Sequence, residues 1–392
     1  MVVLPPYSSS APAPTYSTSP RPDEYLLQRT PFSGHSRPTG TFVRNKHGMT
    51  VVLNGQKENT LCPSFGRDGV LSGTLFIDSP ETVTAVNIKL EGFIECSLTQ
   101  GYSRSEVVDQ TGSLYAKDGP HRKCPGAIPF ARRFPSTFDN HGIHYALPPS
   151  CDITLPASKF LRCTYSLIIN IVYRSARFLS KEKSLLIELE YRHRTRPSRP
   201  RIAERSLRST IKMCPEEWLQ LPVALTAALD PRPPGLFVPS LGVFGISETV
   251  PFHLQLSGPT RCLRDLFVTP PYSVQQKYSS VLRVSLLRQI AVDESHIGQK
   301  INTILEECSL RPLPPGIFGV HSSTSDDVLN WEGEINLQDI DTPSFDIGTI
   351  KVMYLIAVEL CPPKSSPIQR AHFGFPMKIT TDTWVDSAEQ HF

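Results

Sequence analysis

Residues Val86 to Cys96 alternate in character: Val86, Ile88, Leu90, Gly92, Ile94 and Cys96 fall on one side, Asn87, Lys89, Glu91, Phe93 and Glu95 on the other. A period of two marks a strand with one buried face, because adjacent side chains of an extended chain point in opposite directions. The rhythm returns in Tyr165, Leu167, Ile169, Ile171 and Tyr173, and again in Leu185, Ile187, Leu189 and Tyr191. Further along it marks Val250, Phe252, Leu254 and Leu256, then Leu282, Val284, Leu286, Ile290 and Val292, then Leu329, Trp331, Gly333, Ile335 and Leu337. The last two runs are Ile350, Val352, Tyr354, Ile356, Val358 and Leu360, and Phe373, Phe375, Met377 and Ile379. Breaks such as Asp118-Gly119-Pro120 and Leu147-Pro148-Pro149-Ser150 carry turn chemistry. Pro215-Glu216-Glu217-Trp218-Leu219 predicts a short helix, with Pro in the first turn and acids near the N-terminus. Many short strands with no alternating strand-helix rhythm predict an all-β chain of antiparallel sandwiches, not a parallel α/β enzyme fold.

Length divides this β texture in two. At 392 residues the chain exceeds the roughly 250–300 at which one core stops growing, so two are expected. Residues 1–40, crowded with Pro, Ser and Thr, predict a disordered tail that buries too little apolar surface to offset the entropy of ordering. Residues 41–194 predict a first sandwich, 195–235 an Arg/Pro-rich linker, 236–384 a second sandwich and 385–392 a short tail. The 40 basic and 37 acidic residues leave +3, so any electrostatic function is local. Nine cysteines, an odd number with no C-x-x-C pair, read as reduced thiols. The N-terminal MVVLPPYSSS lacks the pattern of a secretory leader, and the longest apolar stretch, from Leu167 to Tyr173, is too short to span a bilayer. A soluble protein of the cytoplasm is expected.

The order of motifs resembles the arrestin family, and within it the fungal arrestin-like proteins of the arrestin-related trafficking adaptor type. In the first half the resemblance rests on Ser72-Gly73-Thr74-Leu75, on Val86-x-Ile88-Lys89-Leu90-Glu91-Gly92, on Cys124-Pro125-Gly126-Ala127-Ile128-Pro129-Phe130, on Leu147-Pro148-Pro149-Ser150 and on Tyr165-Ser166-Leu167. In the second half it rests on Val250-Pro251-Phe252-x-Leu254-Gln255-Leu256, Trp331-Glu332-Gly333, Phe345-Asp346-x-Gly348 and the late Trp384. The resemblance implies two immunoglobulin-like antiparallel β-sandwiches joined by a short linker, the arrestin fold. It further implies a non-enzymatic adaptor without cofactors, which brings integral membrane proteins, through their cytosolic segments, to ubiquitin ligases or coat components. Recruitment to the plasma membrane or endosomes follows from that role.

Leu4-Pro5-Pro6-Tyr7 fits the ligand pattern read by WW domains, including those of HECT ubiquitin ligases. A Pro-rich segment already favours the polyproline II conformation, so docking Pro5 and Tyr7 into an aromatic groove orders little further chain. The alternative is an idle solvated tail. Ala13-Pro14-Thr15-Tyr16 keeps only Pro14 and Tyr16 of the pattern and reads as a degraded second copy, while Thr269-Pro270-Pro271-Tyr272 reads as a structural turn.

A basic stretch holds Arg192, Arg194, Arg196, Arg199, Arg201, Arg205 and Arg208 against the single acid Glu204. Two readings stand: a patch for an anionic membrane surface or an acidic partner, and a hinge whose arginines pair with carboxylates of the neighbouring domains. No aromatics are interleaved, which argues against nucleic acid. His141-Gly142-Ile143-His144 lacks further ligands at metal-binding spacing, and Asp326-Asp327 and Asp339-Ile340-Asp341 read as turn acids, so no metal site is expected. No catalytic motif nominates a nucleophile, base or ion. Two rivals remain beside the ligase adaptor: an arrestin-fold sorting scaffold binding coat or retrieval complexes without a ligase, and an enzyme whose catalytic residues form no sequence motif.

Overall fold

The alternating runs are strands, and their apolar faces build the core. A computed structural model describes residues 38–98, 101–117, 123–174, 180–198, 210, 213–222, 235–259, 281–294, 297–313, 326–362 and 370–384. Strands of the first half are β1 (Gly40–Lys46), β2 (Met49–Gln56), β3 (Ser64–Phe65), β4 (Val70–Ile77), β5 (Val83–Leu98), β6 (Gly101–Ala116), β7 (Ala127–Arg133), β8 (Thr137–Asn140), β9 (Ile143–Ala146), β10 (Cys151–Leu155), β11 (Lys159–Arg174) and β12 (Ser180–Tyr191). One sheet runs β1-β2-β4-β7 and the other β3-β12-β11-β5-β6, with β10 paired to β11 and β8-β9 forming a separate hairpin. Strands of the second half are β13 (Trp218–Pro222), β14 (Gly235–Pro239), β15 (Val243–Gly245), β16 (Thr249–Pro259), β17 (Leu282–Glu294), β18 (Ile297–Cys308), β19 (Arg311–Leu313), β20 (Asp326–Asn336), β21 (Phe345–Asp346), β22 (Ile350–Leu360) and β23 (Ala371–Thr380). Their sheets run β13-β14-β16-β20-β19 and β15-β23-β22-β17-β18, with β21 on β22. Each half is a β-sandwich, and the fold is all-β.

Burial follows the sequence period. On β5 Val86, Ile88 and Leu90 are fully buried, and the strand pairs antiparallel with β11, which buries Leu167, Ile169 and Ile171. Each such side chain is stabilised by about 1.5–3 kcal/mol on leaving water, which is why the sheets face each other instead of solvent. Gly92 stands opposite Tyr165 in this pairing, and a Cβ there would overlap the Tyr165 ring. In the second sandwich Gly333 stands opposite Phe252 on the β16-β20 pair in the same way.

Three local readings differ from the structure. Pro215–Glu217 forms one 3-10 turn, and Trp218–Pro222 then extends as β13, paired with β14. Cys214 offers no side-chain cap to the turn, while Trp218 to Pro222 gain backbone partners on β14, so extension wins. The segment read as linker therefore gives a strand to the second sandwich. Asp326 and Asp327, read as turn acids, begin β20 and pair with Pro259 and Gly258.

Candidate functional site

The chain leaves the first sandwich at Tyr191, and two features fix that exit. The Tyr191 ring stacks on Phe134 at 5.3 Å, and its backbone N–H donates to Ser150 Oγ at 2.8 Å. Tyr165 donates its buried hydroxyl to the Pro148 carbonyl at 2.6 Å. The Leu147-Pro148-Pro149-Ser150 segment is thus strapped down by two tyrosines from neighbouring strands.

Beyond Tyr191 the chain clasps the far end of the second sandwich. Arg194 grips Asp382 with two donors, Nη2 to Oδ1 at 2.7 Å and Nε to Oδ2 at 3.2 Å. Thr195 and Thr381 exchange hydrogen bonds: the Thr195 N–H donates to Thr381 Oγ1 at 2.7 Å, and the Thr381 N–H to Thr195 Oγ1 at 3.2 Å. The Asp382 N–H donates to the Thr195 carbonyl at 2.9 Å. Arg196 lies over the Trp384 ring, 5.3 Å from its centroid. The Arg194–Asp382 pair is partly exposed, at 62% and 33%, so as a charge pair it contributes only about 0.2–1 kcal/mol. The surrounding hydrogen bonds, at about 0.5–1.5 kcal/mol each, carry more of the clasp.

Burial is the largest influence on the Asp382 carboxyl and pushes its pKa up, but hydrogen bonds from Arg194 and Thr381 and the Arg194 and Arg196 charges outweigh it and hold the group below its ordinary range. A depressed carboxylate contributes stability above its unfolded pKa of about 3.9 and loses it as pH falls through the folded value, so the Arg194–Asp382 pair is intact at neutral pH and weakens only in acid. An NMR titration of Asp382 is expected to return a midpoint below about 3.9 that moves up in Arg194→Ala; an unmoved midpoint would break the assignment. Burial, followed by the Arg67 and Lys378 charges, lowers the pKa of His193 and keeps it neutral beside the clasp.

One further tie crosses the seam. The β8-β9 hairpin turns through His141 and Gly142, both at positive φ, as its two-residue turn requires. On its arms, Asn140 Nδ2 donates to the Ile347 carbonyl at 2.8 Å and to Thr349 Oγ1 at 3.2 Å. Gly348, at φ +81, lies so close to the Tyr145 hydroxyl that a Cβ would overlap it.

Arg288 sits on the inward-facing parity of β17 with its side chain 11% exposed. Its Nη1 donates to Asp341 Oδ1 at 3.4 Å, and its buried Nε has no hydrogen-bond partner among the described residues. Both charges reach Cys151 on β10 of the first sandwich, whose thiol burial pushes up to about 12, so it stays protonated. Tyr354 donates to the Thr342 carbonyl at 2.5 Å beside them.

Among the expected site residues, Arg192 pairs with Glu190 at 2.7 Å, Arg194 with Asp382, and Arg196 faces Trp384. All three are turned to partners within the protein. Arg199, Arg201, Arg205 and Arg208 lie outside the described residues, as do Leu4, Pro5, Pro6, Tyr7, Pro14, Tyr16 and Thr269-Pro270-Pro271-Tyr272. Asp341, read as a turn acid, also faces Arg288. Arg288 itself was missed; the signal was an arginine on the apolar parity of a strand, between Leu286 and Ile290. Among the described residues no three His, Cys, Asp or Glu side chains converge as metal ligands, and no helix is long and apolar enough to cross a membrane. Comparison with protein-family models gives no match, and neither does comparison with curated proteins.

Proposed function

We propose that this chain is an arrestin-type adaptor that works by proximity: its two sandwiches hold a cytosolic segment of a membrane protein while Leu4-Pro5-Pro6-Tyr7 recruits a WW-domain HECT ubiquitin ligase. One observation supports the reading above others. The motifs that carry the resemblance take part in the contacts that build the sandwiches and their seam. Gly92 seats Tyr165, Gly333 seats Phe252, Gly348 meets Tyr145, and Leu147-Pro148-Pro149-Ser150 is strapped by Tyr165 and Tyr191. A seam tied at two places keeps two binding faces in a set relation, which is what a scaffold needs; the ligase, not this chain, performs the chemistry in this reading. The protein then acts in the cytoplasm and is recruited peripherally to the plasma membrane or endosomes.

A peptide of residues 1–40 titrated against purified WW domains is expected to bind at micromolar affinity, and Tyr7→Ala to abolish binding, because the aromatic groove loses its anchor. Equal binding of the two peptides would end the ligase reading. Affinity capture that returns coat subunits and no ligase would move the assignment to a sorting scaffold.

A further inference from the structure

Cys151 of β10 stands directly opposite Cys163 of β11, one step along the hairpin from Asp152 and Arg162, which form an ion pair at 2.9 Å. Both cysteines fall on the inward parity of their strands, Cys151 with the buried Ile153 and Leu155, Cys163 with the buried Leu161 and Tyr165. Among the described residues no other two cysteines face each other across a strand pair. Directly opposed residues of an antiparallel pair have Cα atoms about 4.5 or 5.5 Å apart, and both spacings lie inside the span of a disulfide, about 4.4–6.8 Å. Their Cβ atoms, about 4.5–5.5 Å apart in such a pair, need to close by only about 1 Å.

The two thiols differ in access. Cys151 is partly exposed and borders a groove of about 830 Å3 that Leu61, Cys62 and Leu186 also line, whereas Cys163 is 2% exposed. An oxidant in solution therefore meets Cys151 first. Burial raises the pKa of both thiols, that of Cys151 to about 12, so each rests neutral and reacts slowly; the pair answers to sustained oxidant, not to a brief pulse. The hairpin that carries them turns through Ala157 and Ser158, both at positive φ, which residues with a side chain disfavour, so strand pairing and not the turn keeps β10 on β11. A covalent link at the open end of that hairpin fixes the start of β10, which follows directly on the Leu147-Pro148-Pro149-Ser150 segment.

We propose that Cys151 and Cys163 are a reversible disulfide site whose oxidant is a hydroperoxide. The Cys151 thiolate attacks one peroxide oxygen, the O–O bond breaks, and Cys151 becomes a sulfenic acid while the other oxygen leaves as water or an alcohol. The Cys163 sulfur then attacks the Cys151 sulfur and expels hydroxide, which takes the Cys163 proton and leaves as water. The two thiols have lost two electrons and two protons, and the hydroperoxide has taken them up. Two equivalents of a small thiol such as glutathione reverse the reaction by exchange, themselves becoming a disulfide. The site lies within the first sandwich and does not depend on the adaptor reading.

The test is exposure of the full chain to millimolar hydrogen peroxide for increasing times, followed by alkylation in urea and tryptic digestion without reduction. Cleavage after Lys159 and Arg162 separates the two cysteines, so the link is read directly by mass. The expected product joins the Cys151 and Cys163 peptides, two hydrogens lighter than their sum, and disappears when reduced glutathione is restored. In Cys163→Ala the sulfenic acid lacks its partner, so dimedone labelling of Cys151 is expected to rise severalfold over the native chain, while Cys62→Ser leaves the linked product unchanged. Two free thiols after prolonged exposure, or a link from either cysteine to Cys62 as the main product, overturns the site, and the native chain alone decides this whether or not a variant folds. Dimedone on Cys163 of a Cys151→Ala chain at the level seen on Cys151 overturns the order of attack.

Discussion

Phe134→Ala is expected to lower the unfolding free energy by about 3–5 kcal/mol, the cost of emptying a buried aromatic site that the surrounding strands cannot fully refill. Phe134 is wholly buried, although it lies in the loop after β7, and its ring stands 5.6 Å from Phe65, 5.9 Å from Tyr165 and 5.3 Å from Tyr191. Aromatic pairs add about 0.5–1.5 kcal/mol beyond area burial, and this ring makes three of them. Its backbone N–H also donates to the Gly69 carbonyl at 3.0 Å, which holds the loop at the base of the ring. Tyr191 is the residue from which the chain departs toward Arg194 and Asp382, so the substitution loosens the base of the clasp as well as the core. Urea unfolding followed by circular dichroism measures the loss, and a change under about 1 kcal/mol would mean the ring is not held as described. Trp218, Trp331 and Trp384 all belong to the second half of the chain. Tryptophan emission therefore reports that half alone, and a midpoint that falls together with the dichroism would show that the seam transmits the damage.

The second large effect is expected from Trp331→Ala, also about 3–5 kcal/mol. Trp331 heads the fully buried large side chains, at 1% exposure, and sits on β20 between Leu254 of β16 and Pro312 of β19. Two residues along, Gly333 admits the Phe252 ring against the same sheet. Removal of the indole leaves a void on the inner face of a strand that is paired on both sides and so shifts little to fill it, which puts the cost toward the upper end. With net stabilities of about 5–15 kcal/mol, that is a large fraction of what a domain has. Circular dichroism in urea is the appropriate measurement, and full retention of the midpoint would contradict the packing.

The inward faces of β5, β11 and β12 were legible because burial of one face leaves a local record: Val86, Ile88 and Leu90 alternate with Asn87, Lys89 and Glu91 over adjacent residues. The seam left no such record. Asn140 reaches Ile347 across 207 positions, and nothing in the neighbourhood of either residue announces the other. Phe134 escaped notice because it lies in a loop, where period says nothing about burial. Arg288 is absent from the run read for β17, although its parity places it inward; a strand records which face is buried, not which partner pairs a charge there. Trp218–Pro222 shows the opposite error, since acids and proline favour a helical turn locally while pairing with β14 draws the next five residues into the sheet. Arg192, Arg194 and Arg196 were legible as a cluster, with pairing to neighbouring carboxylates among the readings, but Asp382 and Trp384 could be matched to particular arginines only in three dimensions.

The two glycines that seat aromatic rings have a consequence for how such a chain can diverge. Gly92 and Tyr165 occupy one space, as do Gly333 and Phe252, so neither member of a pair is free to change alone. A lineage that gains a side chain at position 92 must first shrink the residue at 165, and the intermediate carries a void or a clash. Substitutions there should arrive in pairs or not at all, and the two couples would persist as joint markers after the surface between them has drifted beyond recognition.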